Sequence, residues 1–183
     1  MTSLGIFYGS TDGNTARVAH LVADAFAARY GATLEIETLD IAEFYVEDMA
    51  DFDLVIVGIP TWNHGQLQAD WEDALEEFDG LDLGGVRAAV FGLGDQAGYP
   101  ATFVDAMFFL ADKLRSCGAQ LVGAWPSAGY SFTNSWALED GRFLGLVLDE
   151  VNQPELTPAR IAHWVPMVGV EFGLVEDETD DVA

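Results

Sequence analysis

The amino-acid sequence predicts an α/β fold, a doubly wound parallel sheet within one domain. Short apolar runs alternate along the chain with amphipathic stretches, which is the pattern of parallel strands joined by helices. The length, 183 residues, suits one domain, and half of the residues are hydrophobic, which is enough for a sizeable core. We expect residues 1–175 to form that domain and an acidic tail, residues 176–183, to be disordered.

The first half of the chain contains three predicted strands and two predicted helices. Residues 4–9 form the first apolar run, and residues 15–29 carry apolar side chains at helical spacing. Residues 33–37 alternate between apolar and polar, which is typical of an edge strand with one exposed face. Residues 54–58 are continuously apolar, as in a strand buried on both faces. Residues 69–78 are rich in acids and predict a helix.

The second half of the chain predicts a fifth strand made of two pieces. The fourth strand is predicted at residues 86–92, and a helix should begin at Pro100, because proline is favoured in a first helical turn. A strand begins at residues 121–124, but a second apolar run, residues 143–148, comes only after a polar, aromatic and glycine-rich stretch. We therefore predict that an insertion, about residues 125–142, interrupts the fifth strand.

The last helix contains two prolines. Pro158 suits its first turn, and Ile161, Trp164 and Val168 follow at helical spacing. Pro166 lies inside the same pattern and should kink or shorten the helix, because proline lacks the amide donor that a helix interior needs.

The charge balance is strongly acidic, with 31 Asp and Glu residues against 7 Lys and Arg, a net charge of −24. Nucleic acid and anionic membranes are therefore poor partners, because binding them requires Lys and Arg, whereas a basic protein would be attracted. No apolar run approaches the roughly 20 residues of a membrane span, and no secretory signal opens the sequence. The single cysteine, Cys117, forms no internal disulfide, and no His/Cys spacing resembles a zinc site. We expect a cytoplasmic protein without a metal.

Three loops follow predicted strands at the edge where open parallel sheets bind ligands. The first loop joins the first strand to the first helix, and its hydroxyls and backbone amides could hold a phosphate without any basic side chain. The same residue types are also ordinary helix caps, and the loop lacks the motifs of nucleoside triphosphatases and dinucleotide-binding proteins. Its residues are Ser10, Thr11, Asp12, Gly13, Asn14 and Thr15.

The second and third loops each bring an aromatic side chain to this edge. A large aromatic residue at a strand end is unfavourable to expose unless something flat covers it. With the first loop, these residues describe a phosphate cradle beside two rings that could sandwich a planar ligand. A lid over the protein's own core, or a patch for a partner, would also account for the aromatics. The second loop comprises Pro60, Thr61, Trp62, Asn63, His64 and Gly65, and the third includes Leu93, Gly94, Asp95, Gln96 and Tyr99.

Five stretches of the sequence together resemble the long-chain flavodoxins, at the spacing that this family uses. The resemblance covers nearly the whole chain and includes the interrupted fifth strand that defines the long-chain group. The stretches are Phe7-Tyr8-Gly9-Ser10, Gly58-Ile59-Pro60-Thr61-Trp62, Phe91-Gly92-Leu93-Gly94-Asp95-Gln96, Gly129-Tyr130 and Gly145-Leu146-Val147-Leu148-Asp149-Glu150.

The resemblance implies a flavodoxin-like five-stranded sheet in the order 2-1-3-4-5 and one noncovalently bound FMN. Residues 10–15 would hold the phosphate of FMN, and Trp62 and Tyr99 would flank its isoalloxazine ring. Backbone groups of residues 61–65 and 93–96 would bond the edge of that ring, with Asp95 on its pyrimidine side. The implied function is low-potential one-electron transfer between the semiquinone and hydroquinone states, without enzymatic activity.

The same resemblance implies partners with basic surfaces. These would be a flavodoxin/ferredoxin–NADP reductase and acceptor oxidoreductases, and the chain is expected to be a monomer. Its acidic surface would support weak, fast and salt-sensitive encounters with them.

Three residues of the loops carry more specific expectations. In the family, a backbone carbonyl of the second loop accepts a hydrogen bond from flavin N5, and Asn63 is our candidate because Asn tolerates unusual backbone angles. Asp12 stands where the family usually has Thr, and its carboxylate should point outward or cap the helix, since it would repel a phosphate. His64 is either a solvated loop residue or a source of pH dependence in the redox potential.

Two other functions are considered on folds of this class. An FMN-dependent NAD(P)H or quinone oxidoreductase would need nicotinamide to reach the ring, against which the aromatics on both faces argue. A flavin-free phosphoacceptor module would need clustered Asp residues at the end of the first strand and a Lys after the fifth. Gly9 and Ser10 occupy the first position, and the only lysine, Lys113, lies in a predicted helix.

Overall fold

Strands and helices alternate along most of the chain in the computed structural model, which describes residues 1–176. The predicted acidic tail lies outside the described residues, apart from Glu176. The helices are α1 (Asn14–Tyr30), α2 (Ala69–Ala74), α3 (Ala106–Ser116) and α4 (Thr157–Phe172). The strands are β1 (Thr2–Tyr8), β2 (Leu34–Asp40), β3 (Leu54–Trp62), β4 (Gln66–Leu67), β5 (Arg87–Leu93), β6 (Gln120–Val122), β7 (Trp125–Pro126), β8 (Leu138–Glu139), β9 (Arg142–Phe143) and β10 (Leu146–Leu148).

The central sheet is parallel and has the order β2-β1-β3-β5-β10. This confirms the predicted order 2-1-3-4-5. Residues 54–59 of β3 are buried throughout, as expected for a strand that is covered on both faces. Helix α1 packs on β1 and β2 and contacts α4, whereas α3 packs on β3 and β5. Within residues 1–176, no helix is both long enough and apolar enough to cross a membrane.

The fifth strand is interrupted, as the sequence predicts. β6 pairs with the first half of β5, from Arg87 to Ala89, and β10 pairs with the second half, from Phe91 to Leu93. Both pieces are parallel to β5 and lie along its outer edge. The chain between them carries a small antiparallel sheet with the order β7-β9-β8.

Tyr130 fastens the insertion to the sheet and to α4. Its hydroxyl donates to the carbonyl of Val147 in β10 (2.5 Å) and accepts from Nε1 of Trp125 (2.9 Å). The guanidinium of Arg160 lies 4.2 Å from the centre of the Tyr130 ring. Burial raises the pKa of Tyr130 to about 12, so the hydroxyl keeps its proton and remains a donor at neutral pH.

The predicted start of α3 is wrong, and so is the predicted shortening of α4. Helix α3 begins at Ala106 rather than Pro100, because the preceding residues form turns in which Val104 has a φ of 51°. That left-handed value interrupts a helix. Pro166 does not shorten α4, which continues to Phe172. The carbonyl that loses its helical donor belongs to Ala162, which is an exposed residue.

Candidate functional site

The three loops meet in one groove at the carboxyl ends of β1, β3 and β5, with a volume of about 220 Å³. Glu150 and Val151, which follow β10, complete its wall; neither was predicted as a site residue. A larger hollow of about 510 Å³ lies between β6 and the insertion, but its lining lacks the paired aromatics of the groove. Among the predicted residues, the groove is lined by Asp12, Asn14, Thr15, Pro60, Thr61, Trp62, Asn63, Leu93, Gly94, Asp95 and Tyr99.

The remaining predicted residues support the loops from outside the groove lining. Ser10 Oγ accepts from the amide of Gly13 (3.1 Å), and Thr11 Oγ1 accepts from Nε2 of Gln68 (3.4 Å). His64 and Gly65 complete the turn of the second loop. Gln96 is also absent from the groove wall, for a reason given below.

Gly9 allows the first loop to pass close to α2. A Cβ atom at this position would lie 2.3 Å from Oε1 of Gln68 and 2.7 Å from the ring of Trp71. Gln68 is buried and also accepts from the Trp71 amide (3.2 Å), so it fixes the first turn of α2. The first loop is therefore held against a rigid support.

Asp12 caps the start of α1, one of the two roles expected for it. Its Oδ1 accepts from the backbone amide of Asn14 (3.0 Å), and its Oδ2 accepts from the Asn14 side chain (3.2 Å). The carboxylate thus occupies one of the amide donors at the helix N-terminus, where negative charge is favourable. It also places a negative charge on the groove wall.

Thr15 has an unpaired hydroxyl on the groove wall. The residue is fully buried, and within the described residues its Oγ1 has no hydrogen-bond partner. A buried polar group left unpaired is unfavourable by about 1–3 kcal/mol. Two further buried atoms lack a partner in the described structure, Thr102 Oγ1 and Arg160 Nη1, but neither residue lines the groove. The Thr15 hydroxyl is therefore a group that could form a hydrogen bond with a ligand.

The second loop is a tight hairpin turn between β3 and β4. Trp62 pairs with Gln66, which leaves Asn63, His64 and Gly65 as the turn. Asn63 has a φ of 44° and Gly65 a φ of 83°, both in the left-handed region. Nδ2 of Asn63 donates to Oε1 of Gln66 across the turn (3.0 Å). Asn63 thus has the unusual backbone geometry for which it was chosen as a candidate.

The third loop contacts the second through aromatic and polar side chains. The rings of Tyr99 and His64 meet edge to face, with centroids 5.2 Å apart. The Tyr99 hydroxyl lies 3.5 Å from Oδ1 of Asn63. Tyr99 and Trp62 are both half-buried and line the groove. The two loops consequently form one connected wall.

Asp95 is ionised on this wall. The Gly98 amide (2.8 Å) and the Asn152 side chain (2.8 Å) both donate to its Oδ1, and these hydrogen bonds lower the pKa of the carboxyl. Because the donors stabilise the charged form, the carboxylate persists to lower pH than an ordinary aspartate.

Asp149 is a buried residue to which the sequence assigned no role. Its carboxylate accepts from the backbone amide of Gln96 (3.1 Å) and from the Gln96 side chain (2.7 Å), as well as from the Asn152 amide (2.9 Å). The side-chain Oε1 of Gln96 in turn accepts from the backbone amide of Ser131 in the insertion (2.6 Å). Gln96 therefore links the third loop to β10 and the insertion. The signal for Asp149 was its place directly after an apolar strand.

Arg17 and Glu150 form an ion pair beside the first loop. The Glu150 carboxylate also accepts from the hydroxyl of Thr157 at the start of α4. The Glu150 side chain is only 9% exposed, whereas that of Arg17, in the first turn of α1, is half exposed. Arg17 thus compensates a nearly buried negative charge on the groove wall.

Comparisons with known proteins find similarity over most of the chain. The family model for flavodoxin matches residues 6–164. The flavodoxin of Picosynechococcus sp. is 45% identical over 174 residues, which cover 95% of this chain and 100% of that protein. Flavodoxin 1 of Salmonella typhimurium is 39% identical over 175 residues, 95% of this chain and 97% of its own length.

A solved structure gives the same result in three dimensions. The crystal structure of Fusobacterium nucleatum flavodoxin bound to flavin mononucleotide has a TM-score of 0.87 and 28% sequence identity, and the match covers 94% of this chain and 99% of that one. Sequence and fold agree over almost the same residues, and on that basis this chain belongs to the flavodoxin family.

Proposed function

We propose that this chain binds FMN in the groove and carries single electrons between redox proteins. The observation that supports this most strongly is the buried, unpaired hydroxyl of Thr15, which lies on the same wall as the half-buried rings of Trp62 and Tyr99. A phosphate oxygen would satisfy the hydroxyl, and a flat ring would cover the aromatics. FMN, which the Fusobacterium nucleatum relative binds, has both groups and supplies one-electron chemistry.

The first loop is the proposed site for the phosphate. Thr15 and the hydroxyls of Ser10 and Thr11 would hold it at the N-terminus of α1, where the helix dipole favours an anion. The amides of Gly13 and Asn14 already donate to Ser10 and Asp12, so they could bind a phosphate only by exchanging these hydrogen bonds. No acidic residue occupies the first turn of α1. Arg17 offsets the charge of Glu150 nearby.

The second and third loops are the proposed site for the ring. Trp62 and Tyr99 would flank it, and backbone groups of residues 61–65 and 93–95 would bond its edge. Within this turn the Asn63 carbonyl would accept a hydrogen bond from the ring nitrogen N5. The Gln96 amide, predicted to bond the ring edge, already donates to Asp149, so we leave it out of the proposal.

Negative charge around the groove would lower the reduction potential. Asp12, Asp95 and Glu150 all line it, and they disfavour further negative charge on a bound ring. One charge at about 10 Å in water is worth about 0.4 kcal/mol, while about 1.4 kcal/mol corresponds to 59 mV for one electron. Several acidic residues must therefore act together to lower the reduction potential appreciably. The acidic composition of the chain provides them.

The acidic surface suits basic redox partners. A net charge of −24 would draw in a flavodoxin/ferredoxin–NADP reductase and acceptor oxidoreductases with basic surfaces, through brief and salt-sensitive encounters. Like charge would also keep two copies apart, so we propose a monomer that works in the cytoplasm. The chain is an electron-transfer protein rather than an enzyme with a substrate of its own.

A reductive titration tests the proposal. The protein is loaded with FMN and titrated with dithionite under argon while its absorbance is recorded. We expect a broad long-wavelength band that is largest near half reduction, as one-electron steps require. Direct bleaching without that band would favour the FMN-dependent NAD(P)H or quinone oxidoreductase. Failure to bind FMN at all would overturn the proposal.

A further inference from the structure

Three aromatic side chains form an exposed patch where the insertion meets α3. Trp136 of the insertion is 56% exposed, Phe108 of α3 is 37% exposed, and Phe109 is half-buried. The Trp136 ring contacts both phenylalanines, with centroids 6.0 Å from Phe108 and 5.8 Å from Phe109. We call these three residues the Trp136 patch. An exposed indole packed on exposed rings is unusual on a protein surface unless another molecule covers it.

The backbone beneath the patch is held by several hydrogen bonds. Oδ1 of the buried Asp105 accepts from the amide of Trp136 (2.8 Å), and the amide of the buried Ala137 donates to Ser135 Oγ (3.1 Å). The Asn134 carbonyl accepts from the amide of Phe103 (3.3 Å). A surface held in place before contact loses little conformational entropy when a partner binds.

The surroundings of the patch are acidic. Asp112 lies one helical turn beyond Phe108 on α3 and is exposed. Arg115, one turn further, is paired with Glu139 of β8 (2.8 Å), and Asp140 follows Glu139. Arg115 is thus paired, and Arg142 of β9 lies opposite Glu139 in the same hairpin, so the rim keeps a small negative balance. A second copy of this chain, with a net charge of −24, would be repelled, whereas a protein with a basic rim around an apolar centre would fit.

The patch also lies next to the second loop of the groove. The Asp105 carboxylate that holds Trp136 would lie 3.1 Å from a Cβ atom on Gly65, so it touches the turn that contains Asn63. The amide of Ala106 donates to Oγ1 of Thr61 in the same loop (3.1 Å). A partner seated on the patch would therefore stand beside the wall of the groove.

From these observations we infer that the Trp136 patch is the docking surface for the basic redox partner. This inference rests on the proposed function and adds the place of contact. The aromatic centre supplies the affinity, because buried aromatic residues dominate the energy of protein interfaces. The acidic rim supplies orientation and rate of encounter.

The test compares two exposed aromatics in FMN-loaded protein. Trp136→Ser removes the centre of the patch, and Tyr45→Ser is the matched control, since Tyr45 is 63% exposed in the segment after β2. Reduction by a ferredoxin–NADP reductase with NADPH is followed over a range of reductase concentrations. We expect Trp136→Ser to raise the Kd for the reductase about tenfold and Tyr45→Ser to leave it unchanged. Midpoint potentials and melting temperature should be the same in all three proteins. Phe108→Ser should also raise the Kd for the reductase.

The outcomes separate the two proposals. If the wild type is reduced normally and Trp136→Ser and Phe108→Ser have the wild-type Kd, the docking inference is overturned and the proposed function stands. If the wild type binds no FMN, or accepts no electrons from the reductase, both are overturned. If the wild type is a dimer at these concentrations and Trp136→Ser is a monomer, the patch serves a second copy and the inference is wrong.

Discussion

Arg17 and Glu150 join the first turn of α1 to the segment that follows β10 by an ion pair. The pair brings together two residues that are far apart in the sequence, and Glu150 lines the same groove as Thr15, whose hydroxyl is unpaired. Removing the arginine leaves Glu150 as a nearly buried, uncompensated negative charge. Anion binding in this groove should therefore depend on a residue that the sequence does not single out.

Arg17→Ala should weaken FMN binding about five- to tenfold, on the scale of about 1 kcal/mol for one charge near the site. Riboflavin, which lacks the phosphate, should lose much less affinity. The double variant Arg17→Ala with Glu150→Gln should recover FMN affinity, since no unpaired charge remains. Quenching of flavin fluorescence by the apoprotein measures all three constants. Arg29→Ala, at the other end of α1 and paired with Glu176, is the control. Equal losses for FMN and riboflavin would contradict the role assigned to Arg17.

Asp12→Asn should tighten FMN binding several-fold. The amide side chain keeps an acceptor for the Asn14 backbone but removes a negative charge from the groove wall. Asp12→Thr, the residue usual in the family, should bind FMN as well as the wild type or better. The gain in FMN affinity should be smaller at high salt, because the effect is electrostatic. A large loss of affinity in either variant would mean that the carboxylate makes an essential contact.

Thr15→Val should have opposite effects on stability and on binding. In the apoprotein the hydroxyl is buried without a partner, so its replacement by a methyl group should raise the free energy of unfolding by about 1 kcal/mol. FMN affinity should fall, because the phosphate would lose a hydrogen bond. Urea unfolding of the apoprotein and flavin titration give the two values. Thr102→Val is the matched control, since its hydroxyl is also unpaired but lies outside the groove lining. If FMN binds both variants with equal affinity, Thr15 does not hold the phosphate.

Asp105→Asn should become more stable than the wild type as the pH rises. Burial raises the pKa of Asp105 in the folded protein above the unfolded value of about 3.9. The folded state therefore binds more protons in this range, and the stability contributed by Asp105 is complete below pH 4 and lost as the pH rises through the folded pKa. Asparagine retains an oxygen to accept from Trp136 and does not titrate. Urea unfolding at pH 4 and pH 7 measures the change.

Asp95→Asn should give a pH dependence of the opposite sign. The amide of Gly98 and the side chain of Asn152 lower the pKa of Asp95 in the folded state. The contribution of Asp95 is therefore present above pH 4 and is lost as the pH falls through its folded pKa. Unfolding experiments between pH 2 and pH 5 should show a smaller acid-induced loss in the variant than in the wild type. An identical acid profile for both proteins would contradict this assignment.

The sheet and the groove wall could be predicted because their signals are local. Residues 54–58 are continuously apolar since β3 is covered on both faces, and that pattern stands in the sequence itself. Trp62 ends β3 and Tyr99 lies in the loop that follows β5, so their place at the carboxyl edge follows from the topology. The same holds for the interrupted fifth strand, whose two pieces are separate apolar runs.

The contacts that join distant segments could not be predicted. The backbone amide of Gln96 donates to Asp149, which is 53 residues away in the sequence. Only the folded structure shows that this amide already has a partner. Val104 ends the turns before α3 with a left-handed backbone, an angle that a β-branched residue adopts only when the surrounding packing imposes it. Ala162, whose carbonyl loses its helical donor to Pro166, is an exposed residue, and exposure depends on tertiary structure.

The outer edge of β2 has a consequence for the behaviour of this protein when it is concentrated. Within residues 1–176, β2 pairs with β1 alone. The backbone groups of its other edge can therefore pair with a strand of another molecule. Such an edge is a template for aggregation. Glu35 and Glu37 lie on the same face of this strand and are exposed, so two copies that meet edge to edge would bring like charges together. The acidity that we propose to steer partners would thus also oppose edge-to-edge growth of this sheet.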